Sequence, residues 1–333
     1  MKKIIIITAV TFFALASCTP DSPRSHEEDS AANNTRPEKQ RVKGPAFSGD
    51  SAYQYIKTQV GFGPRVPGTK AHDDCAAFIT QKLKKAGLAV DVQEAQVVTF
   101  DGKSIGIKNI FAAFHPERKD RILLMAHWDT RPWADEDPDS TAHKSSFDGA
   151  DDGGSGVGVL LEIANVLQQK DPNIGVDLLF DDAEDWGSNG GVSETWCLGT
   201  QYWTAHMPQN YTARYGILLD MVGGKGAVFP REGTGVQYAA DIVEKVWSSA
   251  ARLGYGGIFT NDITGETTDD HLFMNQNAHI PTIDIVHYNM QMHSYPPWHH
   301  KRSDTMDNID TVTLNTVGAV LVDVIYNENP PVN

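Results

Sequence analysis

The stretch "VDLLFDDAEDWG", residues 176–187, decides how this chain is read. Its first five residues are apolar apart from Asp177, with the length and composition of a buried strand. Four carboxylates then arrive within five residues: Asp181, Asp182, Glu184 and Asp185. Like charges this close repel, and a buried carboxylate is costly unless a cation or a proton meets it. In open α/β sheets, chemistry collects beyond the carboxyl ends of the strands. A strand that opens onto an acidic cluster fits that pattern.

The pattern repeats outward in both directions. "RILLMAH" (residues 121–127), "YGILLDMV" (215–222) and "PTIDIVHY" (281–288) are short apolar strands, the first two carrying His127 and Asp220 at or near their ends. Residues 89–100 and 105–114 read as a hairpin-like pair of strands. Helical periodicity runs over 50–60, 71–86 (stopped by Gly87), 155–169, 198–205, 236–253 and 313–326. Strands alternating with helices imply an α/β three-layer sandwich, with a central mixed, mostly parallel sheet flanked by helices. One domain, residues 46–333, accounts for it without internal repeats.

The N-terminus stands apart. Lys2 and Lys3 precede an apolar run too short for a comfortable membrane span, and "LASC" closes it at Cys18. This has the form of a lipoprotein signal peptide over residues 1–17, with Cys18 as the lipid-bearing residue. Residues 18–45 are rich in Pro, Ser, Asn and charge, as expected of a disordered tether. The expected location is the cell envelope, periplasmic or at the outer membrane. A lipid-anchored monomer is the simplest expectation. The net charge of −15 argues against a nucleic-acid partner. Cys75 and Cys197 remain beyond Cys18, and their spacing does not say whether they pair.

The unusual residues gather where strands end. His127 and Asp129 close one strand, the acidic cluster closes the next, and Asp220 closes a third. "FDGADDGGSG" (147–156) leads into a helix, and its glycines allow tight turns that aim Asp151 and Asp152 into a site. Any one of these could be a solvated carboxylate or a helix cap. Together they point to a metal centre.

With these segments in view, the chain resembles the M28 metallopeptidases. The carrying motifs are "HWD" (127–129), "GADDGGSG" (149–156), "DAED" (182–185), "LLDMVG" (218–223), "DDH" (269–271) and "HHKRSDTMDNID" (299–310). "FDDAEDWG", "WCLGTQYW" (196–203) and "HWDTRPWAD" (127–135) are similar to the forms in bacterial glutaminyl-peptide cyclotransferases of the Bacteroidetes type. These are zinc-dependent aminoacyltransferases that convert an N-terminal glutamine to pyroglutamate and release ammonia. The resemblance implies one zinc per chain on Asp152, Asp185 and His300, and peptide or protein substrates that begin with Gln. It implies Glu184 as general acid/base, supported by Asp220 and Asp270. We expect those two to share a proton beside Glu184. It leaves Trp186, Trp196 and Trp298 as candidate pocket walls, with core packing as the alternative for each.

Two departures accompany it. Asp185 stands where animal cyclases carry Glu, and His299 stands where they carry Trp, so His299 is an alternative ligand to His300. Asp269 or Asp270 could also cap a helix beginning near His271, and His271 is expected to orient a neighbour. Asp181 and Asp182 are expected to be hydrogen-bond acceptors or solvated turn residues. The rival reading is a two-zinc aminopeptidase of the same family, which would add a metal through His127 and Asp220 with Asp152 bridging. All five of its ligands are present.

Overall fold

The computed structural model describes residues 41–328; the signal segment, Cys18 and most of the expected tether lie outside the described residues. Residues 41–45 are already tied to the body, so the tether does not extend to residue 45. Arg41 pairs with Asp323 at 2.6 Å. The Val42 amide donates to Asn327 Oδ1 at 2.8 Å, and the Lys43 carbonyl accepts from Lys170 at 2.7 Å.

In chain order the strands are β1 (Ala89–Val98), β2 (Ser104–Phe114), β3 (Arg121–His127), β4 (Gly175–Asp181), β5 (Gly216–Asp220), β6 (Phe229–Arg231), β7 (Phe259–Ile263) and β8 (Thr282–Val286). The main sheet runs β1-β2-β4-β3-β5-β8. Strands β4, β3, β5 and β8 are parallel, while β1 and β2 join as an antiparallel hairpin on the β4 side. Parallel strands are covered on both faces, which is why β3, β4 and β5 are buried at every position. The short pair β6 and β7 was not expected; a three-residue strand containing Pro230 leaves no alternating pattern to read.

Alternation along the strands divides the apolar residues between two cores. Ile122, Leu124 and Ala126 of β3 face a large cluster shared with helices α1 (Gly49–Gly61), α2 (Lys70–Lys85), α3 (Gly154–Gln169), α5 (Gly233–Arg252) and α7 (Thr311–Asn327). Leu123 and Met125 face the opposite way, onto Trp203 of α4 (Leu198–Ala205) and Met274, just past α6 (Asp270–Phe273). This is the expected three-layer sandwich. Helix starts follow local chemistry: Ser48, Thr69, Glu232 and Asp310 accept amide hydrogens of the first turns of α1, α2, α5 and α7. Cys75 and Cys197 are both free thiols. None of the described helices is long and apolar enough to cross a membrane.

Candidate active site

In register, His127 at the end of β3 lies opposite Asp181 at the end of β4. The turns leaving β3, β4 and β5 therefore open on one side of the sheet. The loop before α3 is fixed there from both flanks. The Asp304 carboxylate accepts from the amides of Asp151 (2.9 Å) and Asp152 (3.1 Å). The buried guanidinium of Arg65 donates to the carbonyls of Trp128 (2.9 Å), Asp148 (2.6 Å) and Gly149 (2.7 Å). Gly153 turns the loop with φ +73°, and a Cβ there would stand 2.8 Å from the Asp129 carbonyl oxygen. Only glycine combines that angle with that approach.

The acidic turn after β4 is held as tightly. Asp129 accepts from the amides of Glu184 (3.1 Å) and Asp185 (3.4 Å). Ala183 adopts a left-handed φ of +51°, a conformation that surrounding contacts must enforce. They come from the "WCLGTQYW" segment: the amides of Cys197, Leu198 and Gly199 donate to the carbonyls of Glu184, Ala183 and Asp182 at 2.9, 3.1 and 2.9 Å. Arg131 closes the turn, donating to the Asp185 carbonyl at 2.9 Å and the Gly187 carbonyl at 3.1 Å while its other edge grips Asp135.

These constraints bring Asp152, Asp185 and His300 together, with donor atoms within 4.8 Å of one another. His300 Nε2 stands 3.0 Å from Asp185 Oδ1 and 3.7 Å from Asp152 Oδ2. His299 turns outward, its Nδ1 3.2 Å from Glu136 Oε2. Geometry thus favours His300 over His299 in the cluster. Behind the His300 ring, Glu136 and Asp135 lie 3.8 and 3.9 Å from Nδ1, where a carboxylate commonly orients a metal-binding imidazole. The Asp185 carboxylate is buried, yet neither oxygen accepts a hydrogen bond among the described residues. Two carboxylates and one imidazole, with unmet buried oxygens, fit Zn²⁺ with a position left open.

His127 forms a second grouping with Asp152 and Asp220: its Nε2 is 3.1 Å from Asp152 Oδ1 and 3.4 Å from Asp220 Oδ1. Burial lowers the His127 pKa, but hydrogen bonds to Asp129, Asp152 and Asp220 outweigh it and raise the imidazole well above its usual value. Burial would raise Asp152, yet His127 and His300 hold its carboxyl below the usual range.

Glu184 lines a cavity of about 280 Å³ together with Asp152, Asp220, Asp269, Trp196, Tyr295 and His300. Burial first, and then the charges of Asp269, Asp185 and Asp270, push its carboxyl well above the usual range, against the pull of His127. Such a group gains and loses protons nearer neutrality. The expected sharing of a proton between Asp220 and Asp270 has no hydrogen bond behind it: neither oxygen of Asp270 has a partner among the described residues. Burial, and then the charges of Asp220 and Asp270, raise the Asp269 carboxyl well above the usual range. The carboxylate that weighs most on Asp270 is Asp181, and burial leads in raising both. Asp269 also caps α6, accepting from the Asp270 amide at 2.6 Å. Asp181 and Asp182 are fully buried rather than solvated. Asp182 accepts from His72 at 2.8 Å and from the amides of Lys108 and Ala183 at 2.5 and 2.8 Å. His271 does orient a neighbour, with Nε2 2.9 Å from Glu232 Oε2.

Of the three tryptophans, Trp196 lines the cavity. Trp186 instead packs with Ile105, Ile107 and Ala183, its ring edge-on to Trp133. Trp298 is buried and donates to Asp151 Oδ2 at 2.9 Å, bracing the loop before α3. Sequence reasoning did not single out Arg65, Arg131 or Tyr295. Arg131 had one readable signal, its four-residue spacing to Asp135; Arg65 had none.

The arrangement has close solved counterparts. A glutaminyl cyclase from Bacteroides thetaiotaomicron, bound to N-acetylhistamine, is 47% identical with a TM-score of 0.85, over 86% of this chain and 100% of its own. A glutaminyl cyclase from Tannerella forsythia is 50% identical with a TM-score of 0.83, over 86% and 100%. A leucine aminopeptidase precursor from Bacteroides thetaiotaomicron is 48% identical with a TM-score of 0.84, over 86% and 100%. Among curated relatives, aminopeptidase YwaD of Bacillus subtilis is 23% identical over 67% of this chain, and the alkaline phosphatase isozyme conversion protein of Escherichia coli is 27% identical over 43%. The chain spans less than half the length of either, 43% and 44%. Residues 109–325 match peptidase family M28. That span holds Asp152, Glu184, Asp185, Asp220, Asp270 and His300, and by it the chain belongs to peptidase family M28.

Proposed function

We propose that the protein is a zinc-dependent glutaminyl-peptide cyclotransferase acting on peptides or proteins that begin with glutamine. The observation that carries the reading is the near-complete overlap with solved glutaminyl cyclases at 47–50% identity. One zinc per chain would be held by Asp152, Asp185 and His300. When bound, it supplies Lewis-acid polarisation of the glutamine side-chain carbonyl.

The chain's own residues supply positioning and proton transfer. The substrate's α-nitrogen must attack its own side-chain carbon, which requires the glutamine to be folded back on itself. Trp196, Tyr295 and Met221 form the walls that confine it. With the α-amine in its neutral form, the Glu184 carboxylate takes one proton from the attacking nitrogen as the new N–C bond forms. It returns that proton to the departing nitrogen as the old C–N bond breaks, so ammonia leaves, the ring nitrogen keeps one hydrogen and the carboxylate is regenerated. Its raised pKa suits both halves of that exchange. Asp220 and Asp269 lie on the same cavity wall and keep the surroundings acidic.

A two-metal aminopeptidase is the second reading, favoured by the His127, Asp152 and Asp220 grouping and by the aminopeptidase precursor among the neighbours. Incubating the purified protein with a Gln-initiated and a Leu-initiated peptide separates them. Loss of one ammonia from the first, with the second intact, is the expected result. Free leucine from the second, without ammonia loss from the first, would overturn it.

The leader through Cys18 supports an envelope lipoprotein; a monomer on that anchor is the simplest arrangement. Fatty-acid labelling that persists in Cys18→Ala would refute the anchor.

A further inference from the structure

The "WCLGTQYW" segment contributes one side chain that the chemistry above does not use. Cys197 is fully buried and free. Its Sγ stands 3.4 Å from Oε1 of Glu184, the only hydrogen bond to that carboxyl among the described residues. Oε2 has no protein partner among them, and Glu184 lines the cavity. The Cys197 backbone is left-handed, φ +55° and ψ +38°. A glycine would take that conformation without strain. The position nevertheless carries a thiol, locked in place because the Cys197 amide donates to the carbonyl of Glu184 itself at 2.9 Å. Backbone and side chain of Cys197 therefore grip both ends of the same glutamate.

We propose that Cys197 is a positioning residue for Glu184: its S–H donates to Oε1 and fixes the carboxyl so that Oε2 faces the substrate. Burial, reinforced by the charges of Asp270 and Glu184, pushes the thiol well above its usual pKa, so it remains a proton-bearing donor. A carboxyl with one oxygen anchored needs no reorientation between accepting and returning a proton. The thiol itself exchanges no proton with substrate.

The inference rests on the cyclase reading of Glu184, and the experiment separates the two. Cys197→Ala, Cys197→Gly, Cys197→Ser and Glu184→Gln are assayed for ammonia release from a Gln-initiated peptide, with zinc content and melting temperature measured alongside. The glycine variant relieves the strained backbone, so it folds even where alanine does not. Cys197→Ala and Cys197→Gly should lower kcat about tenfold with KM within about twofold. Cys197→Ser, which restores a donor, should stay within about threefold of wild type. Wild-type kcat in the Ala or Gly variant, or equal losses in Ser, Ala and Gly, would overturn the inference while an inactive Glu184→Gln left the cyclase reading intact. Wild-type turnover in Glu184→Gln would remove both.

Discussion

Strand β4 buries a carboxylate near each end, and the two are treated differently. Asp177 receives the Arg121 guanidinium on both oxygens at 2.5 Å, and the Tyr211 hydroxyl at 2.9 Å. Asp181, two pleat repeats further on and equally buried, has no hydrogen-bond partner among the described residues. The same holds for Asp270 beyond it. At the foot of the sheet, charge is met by fixed side chains, which gives rigidity and nothing else. At the carboxyl end Asp181 and Asp270 have no such partner, an arrangement that suits exchangeable protons beside a candidate metal site. A site that must polarise a carbonyl and carry a proton requires the second arrangement.

The largest expected effect that would break this contrast is at Glu184. Glu184→Gln should lower kcat by about 10²–10⁴-fold while the melting temperature stays near wild type. Retained activity in a steady-state ammonia assay would refute the proton role. At the other end the signs reverse. Arg121→Ala leaves Asp177 buried and unmatched, and should destabilise by about 3–5 kcal/mol in urea unfolding, with kcat of the folded enzyme unchanged. A smaller change is expected at the cavity wall: Trp196→Ala should raise KM several-fold more than it lowers kcat, if the indole that lines the cavity holds substrate and takes no part in the proton transfer.

The smallest effect concerns pH. Burial raises the Asp181 carboxyl to about 7, so the folded state holds a proton there that the unfolded chain releases near pH 4. The sign follows from linkage: this group's contribution to stability is fully present below pH 4 and is lost as pH rises towards 7. Asp181→Asn, which cannot ionise, should flatten that part of the melting-temperature profile between pH 5 and 8. An unchanged slope would mean that Asp181 is not the proton carrier.

The fold was largely legible because its elements are written in strong local patterns. "RILLMAH" and β3 coincide residue for residue, and the hairpin and major helices differ mainly at their ends. Asp and His at successive strand ends made a metal centre readable, while the choice of Asp152, Asp185 and His300 came only through the family resemblance. What stayed hidden depends on contacts between distant segments. Nothing local marks Arg65 as the clamp on residues 148–152, or separates Trp196 in the cavity from Trp186 in the core. That the charge of Asp181 weighs on Asp270 likewise depends on where the fold places α6, not on spacing along the chain.

The most direct test of the contrast is a zinc-edge anomalous diffraction map of the purified protein. The expected result is one peak, about 2.0–2.2 Å from oxygens of Asp152 and Asp185 and from His300 Nε2, with His127 still in contact with Asp152 and Asp220. A second peak between His127, Asp152 and Asp220 would contradict the account and move the protein to the two-metal aminopeptidases.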